Sequence, residues 1–174
     1  RRCDGPRRAC HGRDLPDAMS IDIARAEGAG DIDAVRALFL EYQEAIGVDL
    51  CFQGFEEEVA DLPGAYAPPE GRLLLAREGD RVAGVIGMWP LGGGRAEMKR
   101  LYVRPPWRRT GLGRRLAEAV IEAALDAGHK SICLDTLDFM DEARALYKSM
   151  GFKEIPAYYD NPLDGVLFME RSLD

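Results

Sequence analysis

Three arginines and two glycines are grouped between Arg108 and Arg114, in the order Arg-Arg-Thr-Gly-Leu-Gly-Arg. The apolar pattern before this segment predicts a strand, and the pattern after it predicts a helix. The first backbone N–H groups of a helix lack partners within the helix, and the helix dipole makes that end positive. Because glycine has no side chain, a phosphate can approach the backbone there, and the arginines add charge-assisted hydrogen bonds. The segment therefore predicts a phosphate or pyrophosphate site.

Two better-known phosphate-binding patterns do not match this segment. A Walker A loop would continue with Lys and then Ser or Thr, where this chain has Arg114 and Arg115, and a dinucleotide fingerprint would have a third glycine at Leu116. The alternative to a ligand site is a solvated, charged start to the helix, and it stays open for Arg115. Gly111 and Gly113 argue against it, because glycine in a first turn weakens a helix unless a group must come close.

A second motif lies downstream, where residues 143–152 read Ala-Arg-Ala-Leu-Tyr-Lys-Ser-Met-Gly-Phe. The R-x-x-G-x-G of residues 108–113 and this A-x-x-L-Y-x-x-x-G-F resemble motif A and the second signature of the GNAT superfamily of N-acetyltransferases. The resemblance extends from Met19 to Asp174. It implies that the loop grips the pyrophosphate of acetyl-CoA and that the preceding strand hydrogen-bonds the pantetheine arm through its backbone. The cofactor-binding residues it implies are Leu101, Tyr102, Val103, Arg108, Arg109, Thr110, Gly111, Leu112, Gly113 and Arg114.

Tyr147 is the candidate general acid. When an amine attacks a thioester, the sulfur departs as a thiolate, and a phenol within hydrogen-bond reach can protonate it. Periodicity alone is equally consistent with a core aromatic beside Leu146 and Met150. The resemblance places Tyr147 at the position of the acid in the family, which favours the catalytic role.

Glu97 is the candidate general base, acting directly or through water. An alkyl ammonium has a pKa of about 10.4, so an attacking amine must lose a proton. In histone-type members of the superfamily a catalytic glutamate stands eleven residues before motif A, the separation between Glu97 and Arg108. Strict alternation would place Glu97 on the strand face of Leu101 and Val103, so this role requires a β-bulge. The alternative is a structural ion pair with the lysine or arginine that follows at positions 99 and 100.

The acceptor side of the cleft is predicted from two segments, the pair Phe52-Gln53 and the run Tyr158-Tyr159-Asp160-Asn161. Their aromatic and amide side chains are suited to line a pocket for a small amine, or to pack the last loop, and the sequence favours neither. An acidic group at Glu56, Glu57, Glu58 and Asp61 is interpreted as a solvated helix face, and attraction of a cationic amine is the alternative.

The predicted elements form an α/β (α+β in some schemes) architecture, a single GNAT-like acyl-CoA N-acyltransferase domain. A first strand after Met19 and a helix capped by Asp31 precede an antiparallel meander of three strands at 72–77, 81–89 and 95–103. A helix after Gly111 and a strand at 131–137 complete one parallel crossover. Asp138 then caps a helix over 141–150, and a hairpin around residues 156–165 ends the chain. The sheet is expected to be mixed and largely antiparallel, flanked by helices and splayed where acyl-CoA enters.

Composition limits the classes of function. The chain of 174 residues with a formal net charge of -7 fits one domain and not a general nucleic-acid binder, although residues 95–115 carry eight basic side chains against Glu97 alone. No apolar run is long enough to cross a membrane. Cys3, Cys10, Cys51 and Cys133 form no CxxC pair, which favours reduced thiols and a cytoplasmic location, and no metal site is expected. Residues 1–18 are interpreted as a disordered or added tail, and residues 19–174 as the domain.

These observations predict an enzyme that transfers an acetyl group from acetyl-CoA to a primary amine of a small molecule or peptide by direct attack. A non-catalytic sensor that only binds acyl-CoA is the main alternative. An RNA-binding module using the basic segment is a third and is disfavoured by the acidic total. A homodimer is left open, and no nucleic-acid or membrane partner is expected.

Overall fold

Seven strands and four α-helices follow one another along residues 20–174, the part of the chain that the computed structural model describes. The strands are β1 (Ile21–Arg25), β2 (Arg72–Glu78), β3 (Arg81–Gly92), β4 (Arg95–Val103), β5 (Ser131–Leu137), β6 (Lys153–Ile155) and β7 (Val166–Ser172). The helices are α1 (Gly28–Ile46), α2 (Phe55–Ala60), α3 (Leu112–Asp126) and α4 (Asp141–Ser149). The predicted tail of residues 1–18 lies outside the described residues.

The strands form one sheet in the order β1-β2-β3-β4-β5-β7-β6. Neighbouring strands are antiparallel except β4 and β5, which are parallel and connected through α3. Parallel neighbours need such a crossover because the chain must return to the same end of the sheet. The predicted mixed, largely antiparallel sheet with one parallel crossover is confirmed.

Each face of the sheet is covered by a helical layer with its own apolar core. On one face α3 buries the stripe that its sequence predicts, including Leu112, Leu116 and Val120. On the other face α1 and α2 pack around Leu38 and Phe39. The sheet is therefore buried on both sides, and an opening toward solvent has to lie between strands or at their ends.

Two predicted helix caps are wrong. Helix α1 begins at Gly28, and Asp31 lies inside its first turn, where its carboxylate accepts a hydrogen bond from the backbone N–H of Glu27 at 2.9 Å. That hydrogen bond, together with Arg77, lowers the pKa of Asp31. Helix α4 follows Met140 instead of being capped by Asp138. For Asp31, the tertiary partner Arg77 on β2 is a contact that the local sequence pattern does not include.

Strand β4 contains one extra residue near Arg100. Between the paired positions Gly87–Lys99 and Val85–Tyr102, β3 advances by two residues and β4 by three. Arg100 has a φ of 59°, the left-handed conformation often found in a β-bulge. The bulge that a catalytic role for Glu97 requires is therefore present.

The bulge divides the side chains of β4 between the two faces of the sheet. Leu101 and Val103 pack against the core under α3. Glu97 lies on the opposite face, where it contacts Trp89, a residue of the core under α1. The strand thus presents apolar side chains to one layer and a carboxylate to the other.

Strands β4 and β5 pair only where they begin. The parallel ladder joins Arg95–Glu97 to Ser131–Cys133 and then ends, while β5 continues beside β7 as far as Leu137. The edge of β4 that faces β5 has no strand partner beyond Glu97. This separation opens the sheet between β4 and β5, a position that the predicted splay left unspecified.

Within residues 20–174, none of the helices combines the length and the apolar character needed to span a membrane. The same residues contain no group of three or more His, Cys, Asp or Glu side chains placed to hold a metal ion.

Candidate active site

The loop between β4 and α3 presents a row of free backbone N–H groups. The N–H of Arg108 donates to the carbonyl of Pro105 at 3.2 Å, and the N–H of Arg115 donates to the carbonyl of Gly111 at 3.1 Å. Between them, the N–H groups of residues 109–114 have no hydrogen-bond partner among the described residues. Unpaired N–H groups at a helix start, with the positive end of its dipole, suit a phosphate.

The surface of this loop is open. A Cβ atom built on Gly111 would meet no atom within 4 Å, and one on Gly113 would meet only the side chain of Leu146 at 4.0 Å. Gly111 has a φ of 83°, which glycine adopts without the penalty paid by other residues. The Thr110 hydroxyl donates to the carbonyl of Trp107 at 2.6 Å and so closes the turn. The predicted loop residues are therefore gathered around an accessible backbone.

The three arginines of the loop have different surroundings. Arg108 donates from Nε to the carbonyl of Val103 at 2.9 Å and so supports the end of β4. Arg114 donates to the hydroxyl of Ser149 on α4. The side chain of Arg109 is 88% exposed, and the nearest carboxylate oxygen lies 3.9 Å from it. Arg109 has the side chain most available to an anion.

A cleft lies between β4 and β5, beyond the end of their pairing. Its walls come from α1, β4, β5 and α4 and from the segments next to α2 and β7. The lining residues are Tyr42, Ile46, Leu50, Gln53, Met98, Lys99, Arg100, Leu101, Leu134, Asp135, Thr136, Leu137, Met140, Tyr147 and Leu163. The strand predicted to bind pantetheine forms one wall, with Leu101 in it, whereas the ring of Tyr102 packs toward α1.

Tyr147 reaches this cleft from α4. The residue is 7% exposed, and its ring packs edge-on against Phe152. Its hydroxyl has no hydrogen-bond partner among the residues that the structure describes, although it borders the cleft. Burial, and then the neighbouring charges of Tyr42 and Asp135, raise the pKa of Tyr147. The phenol therefore carries its proton at neutral pH and has a free O–H to donate.

Glu97 is buried and held by two donors. The indole N–H of Trp89 donates to one carboxylate oxygen at 2.6 Å, and the hydroxyl of Tyr158 donates to the other at 2.7 Å. Lys99 lies 3.8 Å away, so the alternative of an ion pair is present only at long distance. Glu97 is not among the residues that line the cleft, whereas Lys99 on the same strand face is. The carboxylate is thus fixed behind the cleft wall.

The two segments predicted for the acceptor side meet at the hydroxyl of Tyr159, next to Asp135. Tyr159 donates to this carboxylate at 2.6 Å, and Asn161 approaches it at 3.4 Å. The amide nitrogen of Gln53 in turn donates to the Tyr159 hydroxyl at 3.1 Å, and Gln53 lines the cleft. Phe52 does not line the cleft and is 37% exposed. The last loop and the segment before α2 are therefore joined through one polar network beside the cleft.

The acidic residues in and after α2 differ in burial. Glu58 forms a buried ion pair with Arg100, at 2.7 and 3.0 Å, and accepts a hydrogen bond from Tyr66 at 2.6 Å. The interpretation as a solvated face is wrong for Glu58, because the bulge turns Arg100 toward it. The other members are exposed, namely Glu56, Glu57 and Asp61.

Sequence reasoning assigned no role in the cleft to Lys99, Tyr42 or Asp135. A charge inside the apolar run of β5 was a usable signal for Asp135, since charged residues are rarely buried without a partner. Tyr42 belongs to the predicted apolar stripe of α1, and nothing in that stripe distinguishes it. The position of Lys99 in the cleft wall depends on the register of β4, which no local sequence pattern shows.

A sheet opened between two parallel strands, next to a glycine loop with free N–H groups at a helix start, matches the fold expected of a GNAT-like N-acyltransferase. The sequence model of the Acetyltransferase (GNAT) family matches residues 32–152, and the chain belongs to this family.

Relatives and solved structures agree with this assignment. The chain is 41% identical over 156 residues to an uncharacterized N-acetyltransferase of Schizosaccharomyces pombe, covering 88% of this chain and 96% of the relative. It is 34% identical over 145 residues to an IAA acetyltransferase of Azospirillum brasilense, covering 81% and 92%. The crystal structure of a GNAT-family acetyltransferase from Staphylococcus aureus shares the fold with a TM-score of 0.73 at 22% identity, covering 89% of this chain and all of that one.

Proposed function

We propose that this protein transfers an acetyl group from acetyl-CoA to a primary amine of a small molecule or peptide. The observation that carries the proposal is the adjacency, through α4, of the free N–H groups of residues 109–114 and the cleft that Tyr147 lines. One suits a pyrophosphate, and the other places a proton donor beside a gap in the sheet. Family membership supports both assignments.

The loop and β4 would bind and orient the donor. The N–H groups of the loop and the side chain of Arg109 would hold the pyrophosphate. The edge of β4 beyond Glu97 has no strand partner, which leaves its backbone groups free to bind an extended arm that contains amides. Acetyl-CoA supplies the thioester carbon that the amine attacks. Holding acetyl-CoA in one position lowers the entropic part of the activation free energy, because the reactants are already oriented for attack.

Tyr147 would act as general acid. Its raised pKa keeps the phenol protonated at neutral pH, and its hydroxyl has no competing acceptor among the described residues. A thiolate leaving group is the natural acceptor for that proton. The arrangement supports the catalytic role over a purely structural one, because a core tyrosine usually hydrogen-bonds its hydroxyl to the protein.

Glu97 would act as general base through a bound water. Both of its oxygens already accept one hydrogen bond, and each retains a lone pair. Its position behind the cleft wall favours a relay over direct contact with the amine. Burial and the adjacent Glu97 carboxylate raise the pKa of Tyr158, so that Tyr158 stays a donor and holds the carboxylate in place.

The amine would attack the thioester directly, without a covalent enzyme intermediate. Of the two cysteines in the described part of the chain, Cys133 is the buried one, in β5 beside the cleft, and burial raises its pKa to about 11. The thiolate is the nucleophilic form of cysteine, so Cys133 is unreactive at neutral pH. A cytoplasmic location remains a proposal that rests on the use of cysteine in the sequence.

Release of CoA thiol from acetyl-CoA in the presence of a panel of primary amines tests the proposed function. We expect at least one amine to increase thiol release well above the rate without acceptor, and the acetylated amine to appear by mass spectrometry. Acetyl-CoA-dependent thermal stabilisation without turnover on any amine would contradict the enzyme and support the sensor.

A further inference from the structure

The ammonium group of Lys99 is buried in the cleft wall without a short hydrogen bond. The side chain is 5% exposed, and its nitrogen lies 3.5 Å from the amide oxygen of Gln53 and 3.8 Å from a carboxylate oxygen of Glu97. It also lies 4.6 Å from the centre of the Trp89 ring. Charge-assisted N–H···O bonds are normally about 2.7 to 2.9 Å long. Both oxygen contacts of Lys99 are therefore weak.

The other charged groups near the cleft are well paired. Arg100 is held by Glu58 at 2.7 and 3.0 Å, Asp135 accepts from Tyr159 at 2.6 Å, and Glu97 accepts at 2.6 and 2.7 Å. Each carboxylate is thus committed to another donor. None of these groups compensates the charge of Lys99 at close range.

A buried cation without a close partner is unfavourable. Burial lowers the pKa of Lys99, because removal from water disfavours the charged form, and the more distant Glu97 opposes this effect. Proteins usually place a counter-charge beside such a group. An anionic group on a ligand would give the ammonium group of Lys99 the short hydrogen bond that neither Gln53 nor Glu97 makes to it.

Lys99 is placed where it would meet the acceptor and not the pyrophosphate. It shares the cleft lining with Gln53 and Asp135, which both hydrogen-bond the Tyr159 hydroxyl of the last loop. The loop proposed to bind the pyrophosphate lies beyond the C-terminal end of β4, after Val103. The bulge at Arg100 keeps Lys99 on the α1 side of the strand.

We propose that Lys99 binds a carboxylate carried by the amine acceptor, which makes the acceptor class the amino acids and related amines with a carboxylate. This inference rests on the proposed function, because it names the substrate of the same cleft. It assigns Lys99 a part in specificity and leaves the chemistry of transfer to Tyr147 and Glu97.

Binding of the reaction products offers a test that does not depend on turnover. N-acetyl derivatives of the proteinogenic amino acids are titrated into the protein with saturating CoA, each beside its C-terminal amide. We expect at least one acid to bind about ten- to hundredfold more tightly than its amide, as the loss of a hydrogen bond to a charged group implies. In Lys99→Met, which keeps an unbranched side chain and removes the charge, the acid-to-amide ratio of affinities should fall to near one.

Lys153→Met is the matched control, because Lys153 is an exposed lysine on β6 outside the cleft lining. It should keep the wild-type ratio. The melting temperature of Lys99→Met should not fall below that of the wild type, since the substitution removes a buried charge without breaking a short bond. A lower melting temperature would indicate a structural ion pair with Glu97 and contradict the proposal.

Acids and amides that bind equally well, or that both fail to bind, would overturn the inference, as would a ratio unchanged in Lys99→Met. A Lys99-dependent preference for acids, without thiol release from any primary amine of the panel, would leave the carboxylate site standing and contradict the proposed function. Equal turnover rates on amino acids and on amines without a carboxylate would support the proposed function and contradict the inference about Lys99.

Discussion

The backbone N–H of Phe152 donates to the carbonyl of Tyr147 at 3.1 Å, and the two rings pack edge to face with their centroids 5.8 Å apart. Gly151 makes this contact feasible, because its φ of 86° turns the chain back over the end of α4. The motif around Tyr147 therefore has a structural explanation. The helix end holds the candidate acid in the cleft.

Gly151→Ala tests this helix end. A side chain at this φ should cost about 1 to 2 kcal/mol of the free energy of unfolding, because non-glycine residues resist the left-handed conformation. Gly30→Ala is the control, since Gly30 lies in α1 without a positive φ and with open space around its Cβ position. Denaturant unfolding should show a loss for Gly151→Ala alone. Equal stability of both variants would contradict the role given to Gly151.

Tyr147→Phe tests the proposed general acid. The change removes the hydroxyl and keeps the ring that packs on Phe152, so affinity for CoA should survive. Turnover should fall by about ten- to a thousandfold, in line with general acid catalysis. The measurement is kcat with the best acceptor of the amine panel, beside a CoA titration. Full activity in this variant would contradict the role of general acid and show that Tyr147 serves only to pack the core.

Glu97→Gln tests the proposed general base. Turnover should fall most near neutral pH and progressively less as rising pH deprotonates the free amine without help. Lys99 and Tyr158 face the same carboxylate, and the variant keeps a group that can accept from Tyr158. The measurement is kcat as a function of pH for the wild type and for Glu97→Gln. A defect of constant size across pH would instead assign Glu97 to structure or substrate binding.

Cys133→Ala tests direct attack. Because burial raises the pKa of Cys133 to about 11, its thiol should take no acetyl group at neutral pH. The variant should therefore turn over at close to the wild-type rate. Mass spectrometry of wild-type protein incubated with acetyl-CoA alone should show no acetyl group on Cys133. An acetylated Cys133 that disappears when amine is added would demonstrate a covalent intermediate.

The parts of the site that sequence predicts are those built from local chain conformation. Gly111 and Gly113 signal a helix start with free N–H groups, since few other reasons place two glycines there. The Glu58–Arg100 pair and the weak pairing of Lys99 depend on a bulge whose position is set by register with β3. The cap at Asp31 failed because Arg77 and the backbone N–H of Glu27 hold that side chain, and the cap at Asp138 failed because α4 begins only after Met140.

Calorimetric titration of CoA into Gly111→Asp and Gly128→Asp tests the central claim, that the loop of residues 108–114 binds the pyrophosphate. Both glycines have φ values near 84° with open space at the Cβ position, and they flank opposite ends of α3. Both substitutions should cost stability because of the positive φ, and Gly128→Asp the more, since its carboxylate lies at the negative end of the helix dipole; only Gly111→Asp places a carboxylate beside the free N–H groups. We predict that Gly128→Asp binds CoA as the wild type does and that Gly111→Asp does not bind it measurably. Wild-type affinity in a folded Gly111→Asp protein would contradict the account.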